Sequence, residues 1–537
     1  MIVGDLIAHY AQTQPDSAAV SFEGVTTTYG EFDQRVDRLA DALKTTYGAV
    51  KGDRLAVLSH NRPEILEVFG AAEKTGFVAV ALSWRLLPHE LLTLIRDARP
   101  AVLFVQPRHI PTVEAIREEL GPIHLVRITE PSVSAGPSAP AGPSVPAGPA
   151  ESSATLPPGY DDYETLLASG EAYPTRWSVT EDDLVCLVYT SGTTGAPRAA
   201  MHTHRGQLAH ARAAAREIGI ASTDVNLIAT PFFHIAAHAM RLAHSVQGAA
   251  NAILDSWDPL QALRAVESER ATFLQLVPSQ VAVVLDLPDL DRFDLSSLKT
   301  IFYASSPMPV ELLRRGIEAF GPIFMQAYGQ TEGGPSVSML HKAEHVDRMI
   351  TGDVSRLASA GRPLPEVTVE IHDDEDRALP PGDVGEICAR SPYLMTGYWG
   401  KPDDSAEAVR AGFLHTGDMG FIDDEGFVYI VDRKKDMIIT GGVNVYPREI
   451  EEVLYRHPAI LEAAVIGVPD PKWVEAVKAL VVLKRGKQTT EAELVDFCGQ
   501  HLAGYKKPKS VEFWQELPKS PAGKILKKEL RLHYGPT

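Results

Sequence analysis

Residues 189–200 of this 537-residue chain read Tyr-Thr-Ser-Gly-Thr-Thr-Gly-Ala-Pro-Arg-Ala-Ala. They follow the apolar run 184–188, Leu-Val-Cys-Leu-Val, which predicts a buried strand. Positions 190–195 hold only hydroxyl-bearing residues and glycines. Glycine lets backbone N–H groups turn toward an anion, and Ser and Thr hydroxyls add donors without bulk. The stretch therefore predicts a loop that holds a polyphosphate. It is not a Walker loop, because no Gly-Lys-Ser/Thr closes it.

Further motifs follow this loop in a fixed order. They are Gln-Ala-Tyr-Gly-Gln-Thr-Glu at 326–332, His-Thr-Gly-Asp at 415–418, Asp-Arg-Lys-Lys-Asp at 432–436, Gly-Gly-Val-Asn-Val-Tyr-Pro at 441–447 and Pro-Ala-Gly-Lys-Ile-Leu at 521–526. With Thr-Tyr-Gly-Glu-Phe at 28–32, the set resembles the adenylate-forming (ANL) superfamily. That superfamily includes the AMP-dependent acyl-CoA ligases, peptide-synthetase adenylation domains and beetle luciferases. The resemblance covers nearly the whole chain.

Composition narrows the classes of partner. The net charge of −19 argues against nucleic acid and against anionic membrane surfaces, because both need a basic face. No apolar run approaches 18 residues, so we expect no membrane span, and the N-terminus lacks the basic region of a signal peptide. The cysteines (Cys186, Cys388 and Cys498) lie far apart in apolar contexts, as is typical of buried thiols in a reducing compartment. A cytoplasmic protein is expected.

The order of apolar segments predicts an α/β fold. A strand, helix and strand over 54–82 indicate a βαβ unit and a parallel sheet, and strands at 225–229, 271–277 and 300–304 continue the alternation. The tract 131–156 repeats Ala-Gly-Pro and is predicted to be a disordered insertion. After residue 361, strands with tight turns follow. The resemblance then implies a large N-terminal domain (1–432) with parallel sheets and a small β-barrel-like part, a hinge (433–435) and a small, mobile α+β lid (436–537).

The resemblance implies a reaction in which ATP and a carboxylate give an acyl-adenylate, which a thiol then attacks to release AMP. Glu332 would bind Mg²⁺ with Thr190 as a second contact, Thr331 would donate to the α-phosphate, Asp418 would bind the ribose and Tyr328 would stack on adenine. The nucleotide-binding set comprises Thr190, Ser191, Gly192, Thr193, Thr194, Ser305, Ser306, Gln326, Ala327, Tyr328, Asp418 and Arg433. Taken alone, Glu332 could be an ordinary surface carboxylate and Asp418 a turn residue.

The lid and the acyl side supply the remaining predicted residues. Lys524 would lie between the attacking carboxylate and the α-phosphate, although a solvated lysine is the simpler interpretation of that residue alone. Rotation at Lys435 would exchange Lys524 for Gly441 and Gly442, whose backbone would line the CoA tunnel. His234 would gate an acyl pocket that also includes Ala236, Ala237, Val277, Ser279, Ala304 and Ala327.

The small apolar pocket residues favour a bulky hydrophobic acid, or its adenylate, over an amino acid, because no Asp lies near 234–238 to bind an ammonium group. His234 and His238 also have a spacing seen in zinc sites, but no Glu follows His234 and no third ligand is evident. CoA is the simpler thiol acceptor. The identity of the acid and the oligomeric state, a homodimer included, are left open by the sequence.

The chain departs from the family pattern on the ATP side. Arg198-Ala199 replaces the usual Lys-Gly, the segment 303–306 (Tyr-Ala-Ser-Ser) replaces a glycine-rich one, and Val474-Glu475 stands where Gly-Glu is common. These differences suggest a weakened adenylation step. The alternatives are therefore an acyl-CoA ligase, an enzyme that only converts a supplied adenylate to its thioester, a luciferase-like oxygenase, and a non-catalytic scaffold that binds nucleotide or acyl groups.

Overall fold

The computed structural model describes residues 1–129, 156–172, 177–190, 197–306, 308–351, 355–440, 443–519 and 525–534. The predicted insertion at 131–156 lies outside the described residues except for its last position, Leu156. The chain forms two compact units, Met1–Arg205 and Gly206–Thr537. Where the chain is described, no helix is both long and apolar enough to cross a membrane.

The first unit alternates helices and strands. Its elements are α1 (Gly4–Thr13), β1 (Ala18–Phe22), β2 (Val25–Thr28), α2 (Tyr29–Tyr47), β3 (Arg54–Leu58), α3 (Pro63–Thr75), β4 (Val78–Leu82), α4 (Pro88–Ala98), β5 (Val102–Val105), α5 (Ile110–Glu114), β6 (His124–Arg127), β7 (Tyr160–Asp162), α6 (Tyr163–Ser169), β8 (Leu184–Thr190) and β9 (Arg198–Thr203), with 3-10 turns at Pro107–His109 and Arg117–Glu119. Seven strands form a sheet in the order β7-β6-β5-β3-β4-β8-β9, and β1 and β2 form a hairpin. The sheet is parallel except for β9, which returns antiparallel to β8.

Local chemistry sets the helix boundaries in this unit. The Thr28 hydroxyl accepts from the Glu31 N–H, and the Glu31 carboxylate accepts from the Thr28 N–H, so the predicted motif at 28–32 is the capping box that starts α2. Helix α3 begins at Pro63, where a missing N–H is harmless, and ends at Gly76 with φ of +79°. The parallel pairing of β3 with β4, which α3 connects, confirms the βαβ unit predicted over 54–82.

The second unit carries the remaining elements. They are α7 (His204–Ile218), β10 (Val225–Ile228), α8 (Ile235–Ser245), β11 (Ala250–Ile253), α9 (Pro259–Ser268), β12 (Phe273–Leu276), α10 (Pro278–Leu285), β13 (Thr300–Tyr303), α11 (Val310–Phe320), β14 (Phe324–Gln330), β15 (Gly334–Leu340), α12 (Lys342–Thr351), β16 (Arg362–Pro363), β17 (Thr368–His372), β18 (Gly385–Arg390), α13 (Pro402–Ala408), β19 (Val409–Arg410), β20 (Phe413–Ile422), β21 (Val428–Arg433), β22 (Ile438–Thr440), β23 (Val443–Val445), α14 (Pro447–Tyr455), β24 (Ile460–Asp470), β25 (Val474–Leu483), α15 (Glu491–His501), β26 (Ser510–Trp514) and α16 (Lys527–Leu532), with 3-10 turns at Leu290–Arg292, Ser355–Ala358 and Lys434–Asp436.

The central sheet of this unit is buried on both faces. Its strands run in the order β16-β15-β14-β13-β12-β10-β11, with β10 to β14 parallel. Successive residues of β13 point to opposite sides, so that Tyr303 joins a core with helices α9 to α11 while Phe302 joins one with α7 and α8. A parallel sheet covered by helices on both faces is the predicted α/β architecture.

Two smaller sheets follow in the same unit. An antiparallel sheet has the order β17-β18-β20-β19, with β21 paired to β20. The C-terminal module has the order β23-β22-β25-β24, with β26 parallel to β25 and a core shared with α14 and α15. This is the small α+β module expected in the C-terminal part of the chain; its boundary at residue 436 and its mobility stay predictions.

Candidate functional site

A buried carboxylate organises the polar site of the second unit. Asp418 on β20 is 3% exposed. Its Oδ2 accepts hydrogen bonds from the Tyr328 hydroxyl at 2.9 Å and from Gln330 Nε2 at 2.8 Å, and its Oδ1 lies 2.6 Å from Arg433 Nε. The carboxylate is fixed in place because donors from β14 and β21 hold both oxygens. The structure thus brings together three predicted nucleotide-binding residues: Tyr328, Asp418 and Arg433.

The Tyr328 side chain is part of the core as well as of this cluster. Its ring packs with Val337 and Val428, and burial together with the Asp418 charge raises the pKa of its hydroxyl, which stays neutral. The stacking of Tyr328 on adenine stays a prediction. Gly329, the next residue, must be glycine because a Cβ there would lie 2.5 Å from the Pro335 carbonyl oxygen on β15.

The turn between β14 and β15 carries Thr331 and Glu332, both half-buried. Glu332 Oε1 accepts a hydrogen bond from the Tyr398 hydroxyl at 2.8 Å, and its carbonyl oxygen accepts from the Met395 N–H. A hydroxyl donor orients the carboxylate and brings no positive charge to it. A hard cation such as Mg²⁺ prefers carboxylate oxygens, and Glu332 fits that requirement.

The predicted adenine-side segment begins in the core and ends in a strained turn. The Tyr303 hydroxyl, which is fully buried, lies 2.9 Å from His345 Nε2 and 3.3 Å from Gln326 Oε1. Ser305 is exposed and has φ of +73°, a left-handed conformation that glycine adopts more readily than serine. Serine in place of a glycine at this position therefore strains the backbone. The next residue, Ser306, is half-buried.

Several predicted acyl-pocket residues lie at one edge of the central sheet. The registers of β12, β13 and β14 align Leu276, Tyr303 and Gln326. The residues that follow them, Val277, Ala304 and Ala327, therefore form a row across adjacent parallel strands. Val277 and Ala304 follow the carboxyl ends of β12 and β13, where ligands of such sheets usually bind, while Ala327 is buried within β14.

The other predicted pocket residues flank helices near that edge. His234 is the N-cap residue of α8, so it precedes the helix and does not share a helical face with His238. Ala236 is half-buried and Ala237 buried in the first turn of α8, and Ser279 is half-buried at the start of α10.

The phosphate loop is described only at its base. Thr190 ends β8 and pairs with Arg198, the first residue of β9, and the Thr190 hydroxyl donates to the Arg198 carbonyl oxygen at 3.4 Å. The predicted residues Ser191, Gly192, Thr193 and Thr194, and likewise Gly441, Gly442 and Lys524, lie outside the described residues.

Charged contacts surround the predicted hinge. Lys435 is exposed in the 3-10 turn Lys434–Asp436. Loss of water around its ammonium group lowers the pKa of Lys435. The negative charge of Asp436 opposes this shift, and the positive charge of Arg433 acts in the same direction as the shift. The backbone N–H of Arg448 on α14 donates to Asp432 Oδ2 at 2.9 Å, and Asp436 pairs with Arg531 on α16 at 2.8 Å. These contacts join the segment 432–436 to two helices of the C-terminal module, on both sides of Lys435. The role of Lys435 as a hinge stays a prediction.

Two contacts of the site were not predicted from the sequence. Tyr398 lies 66 residues from Glu332, and Gln330 lies 88 residues from Asp418. Gln330 belongs to the motif at 326–332, so its presence there was a usable signal. Tyr398 precedes α13 in a Gly-Tyr-Trp sequence for which no function was predicted.

Comparisons with known proteins agree with this geometry. The family model described as AMP-binding enzyme matches residues 7–399, and the one described as AMP-binding enzyme C-terminal domain matches 449–524. A feruloyl-CoA synthase of Amycolatopsis sp is 37% identical over 98% of this chain and 97% of its own length. The fatty acid–[acyl-carrier-protein] ligase ScoC of Streptomyces coeruleorubidus is 35% identical over 97% and 94%.

Solved structures show the same fold. The crystal structure of the anthranilate CoA ligase AuaEII in complex with anthranoyl-AMP superposes with a TM-score of 0.88, at 26% identity over 99% of this chain and 97% of that one. The predicted membership of the adenylate-forming superfamily is confirmed.

Proposed function

This chain belongs to the AMP-binding enzyme family and is an AMP-forming acid–thiol ligase that uses ATP and CoA, and we propose that its acid is a bulky hydrophobic carboxylic acid. The observation that supports this substrate class is the row of Val277, Ala304 and Ala327 across adjacent strands of the central sheet. Small apolar side chains leave room for an aryl or alkyl group and offer no partner for a charge. Residues 234–238 (His-Ile-Ala-Ala-His) add no carboxylate for an ammonium group.

The reaction proceeds in two displacements. The substrate carboxylate oxygen attacks the α-phosphorus of ATP, a P–O bond forms and pyrophosphate leaves. The CoA sulfur then attacks the acyl carbon after losing its proton, the C–S bond forms and AMP leaves. The first step brings an anion toward a polyanion, so preorganised donors and cations are needed. Each of them can lower the free energy of the transition state by roughly 3 kcal/mol.

Named residues of this chain supply those groups in the proposal. Asp418 accepts the ribose hydroxyls, with Arg433 holding its carboxylate from β21. Glu332, oriented by Tyr398, holds Mg²⁺, which screens phosphate charge when it is bound. Lys524 provides a positive charge for the first step, and rotation at Lys435 exposes the adenylate to CoA. His234, at the N-terminus of α8, lines the entrance to the acyl pocket.

A substrate panel tests this proposal. Purified full-length protein is incubated with Mg²⁺, ATP and CoA together with a hydroxycinnamic, an indolyl, a medium-chain, a long-chain or an amino acid, and AMP and the acyl-CoA product are both measured. We expect equal amounts of AMP and acyl-CoA with at least one hydrophobic acid and none with the amino acids. Turnover of amino acids alone would contradict the substrate class, and no product with any acid would contradict the proposed reaction.

A second function, thioesterification of an adenylate made elsewhere, is favoured by the strained turn at Ser305. A left-handed serine raises the cost of the conformation in a segment predicted to lie beside adenine. Exchange of labelled pyrophosphate into ATP, measured with the acid accepted best, separates the two functions. Exchange at a rate near that of overall turnover would exclude the second function. Absence of exchange, with thioester formed from a synthetic acyl-adenylate, would establish it.

A further inference from the structure

Three strands of the antiparallel sheet present a cluster of metal-binding side chains on one face. Cys388 on β18 lies directly opposite His415 on β20, and the register of β17 with β18 places His372 on the same face. One ligand atom from each of these residues lies within 4.8 Å of the others. The cluster is largely shielded from water, since Cys388 is fully buried and the His372 and His415 side chains are 8% and 5% exposed. None of these side chains has a role in the reaction proposed above.

The measured separations fit one coordination geometry. Cys388 Sγ lies 3.4 Å from His415 Nδ1, and Glu386 Oε2 lies 3.5 Å from the same nitrogen. In a tetrahedral site with metal–ligand bonds of about 2.0 to 2.3 Å, neighbouring ligand atoms lie roughly 3.3 to 3.8 Å apart. The Cys388–His415 distance is therefore that of one edge of such a tetrahedron, while Glu386 lies beside His415 at the margin of the cluster and is not one of its three ligands.

The hydrogen bonding of His372 also fits metal ligation. Its Nε2 lies 2.9 Å from Glu370 Oε2, which fixes the proton on Nε2 and leaves a lone pair on Nδ1. That Nδ1 is buried, and no described residue provides it with a hydrogen-bond partner. Metal-ligating histidines commonly donate their second nitrogen to a carboxylate in this way.

We propose that His372, Cys388 and His415 form a three-residue binding site for Zn²⁺ or a chemically similar divalent cation, with water as the fourth ligand. Thiolate and imidazole are ligands that such a cation takes, and three protein ligands with one water complete a four-coordinate site. On binding, a metal–sulfur bond forms and the thiol proton passes to solvent. The site is distinct from the Mg²⁺ contact at Glu332.

One contact must change when the cation binds. Arg410 Nη2 lies 2.7 Å from His415 Nδ1, the nitrogen assigned to the metal, while the same guanidinium pairs with Asp376 through Nε and Nη2. Arg410 can therefore keep its partner Asp376 while releasing His415. Glu370, Asp376 and Glu386 place three negative charges around the cluster, against the two positive charges of Arg410 and Lys434, so the remaining net charge is negative and favours the entry of a cation.

Cobalt(II) titration of the full-length protein tests the site, because a thiolate ligand produces a sulfur-to-cobalt charge-transfer band. We expect one Co²⁺ per chain with that band and with the visible spectrum of a tetrahedral ion, and we expect Zn²⁺ to displace it. Cys388→Ser should abolish the charge-transfer band, and His372→Gln should weaken binding roughly tenfold or more. Cys498→Ser, which removes another buried thiol in the C-terminal module, is the matched control and should bind Co²⁺ like the parent.

Glu370→Gln provides a second test if Cys388→Ser does not fold. Glu370 is on the solvent side of the cluster and accepts a hydrogen bond from His372. Its replacement should weaken cobalt binding by roughly tenfold, because His372 loses the partner that orients its ring. Circular dichroism verifies the fold of each variant. The proposal is overturned if the parent binds no Co²⁺ with a thiolate band, or if that band persists unchanged in folded Cys388→Ser or the affinity is unchanged in folded Glu370→Gln.

Discussion

The Tyr398 hydroxyl donates a hydrogen bond to Glu332 Oε1 at 2.8 Å, and this contact joins the segment before α13 to the turn between β14 and β15. Tyr398 acts on the carboxylate proposed to hold Mg²⁺, so it is a positioning residue. Its effect should depend on the metal concentration.

Tyr398→Phe removes this one hydroxyl and keeps the ring. Loss of a hydrogen bond to a charged group costs about 1.5 to 3 kcal/mol, so we expect kcat/KM for ATP to fall roughly 10- to 100-fold. The loss should be smaller at high Mg²⁺. Tyr429→Phe, which removes a hydroxyl bonded to Asp423, is the control and should retain activity. Equal activity of Tyr398→Phe and the parent at all Mg²⁺ concentrations would refute this role.

Val474 adopts φ of +71° at the start of β25, which is an unfavourable conformation for a β-branched residue. Its side chain is 70% exposed, so little packing is lost when it is removed. Val474→Gly should therefore raise the free energy of unfolding of the C-terminal module by about 1 kcal/mol. Val443→Gly, at another exposed valine without a positive φ, should lower it. Urea unfolding of both variants measures the two signs, and a destabilised Val474→Gly would show that the strain argument is wrong.

His345 predicts a loss of stability in acid. Burial disfavours the charged imidazolium and lowers the pKa of His345 to about 4, although the hydrogen bond from Nδ1 to the His341 carbonyl oxygen acts in the opposite direction. In the neutral form Nε2 accepts from the Tyr303 hydroxyl. The unfolded chain takes up the proton near pH 6.5, so the stabilisation is present above that pH and is lost as the pH falls toward 4. Between pH 7 and pH 5 the decrease from this residue alone is about 2 kcal/mol.

His345→Gln isolates that contribution. Glutamine keeps a hydrogen-bond acceptor near Tyr303 but does not titrate, so the unfolding free energy of the variant should fall less between pH 7 and pH 5 than that of the parent. Urea unfolding at both pH values measures the difference. Identical pH dependence in the two proteins would exclude His345 as a source of the acid sensitivity.

The sequence predicted the elements whose patterns are local. The run 184–188 became β8, the strand at 300–304 became β13, and the helix expected from Pro447 to about residue 456 is α14 (Pro447–Tyr455). Apolar periodicity and Pro or Gly at the boundaries determine such elements, so a short window is enough to find them.

Contacts that depend on strand register were beyond local patterns. Nothing near Tyr398 in the sequence indicates a contact with Glu332. The Tyr328 hydroxyl likewise bonds to Asp418, 90 residues away, and local patterns do not show how the distant strands β14 and β20 meet. The cluster of His372, Cys388 and His415 likewise arises from pairing of β17, β18 and β20. Backbone strain at Ser305 and Val474 could be suspected only as missing glycines.

Replacement of Asp418 by alanine tests the central claim most directly, since its carboxylate is proposed to bind the ribose of ATP in both half-reactions. AMP release and acyl-CoA formation are measured for Asp418→Ala and for Asp403→Ala, which removes an exposed carboxylate on α13. We predict that Asp418→Ala loses roughly 100-fold in kcat/KM for ATP while remaining folded, and that Asp403→Ala matches the parent. A folded Asp418→Ala protein as active as its parent would contradict the account.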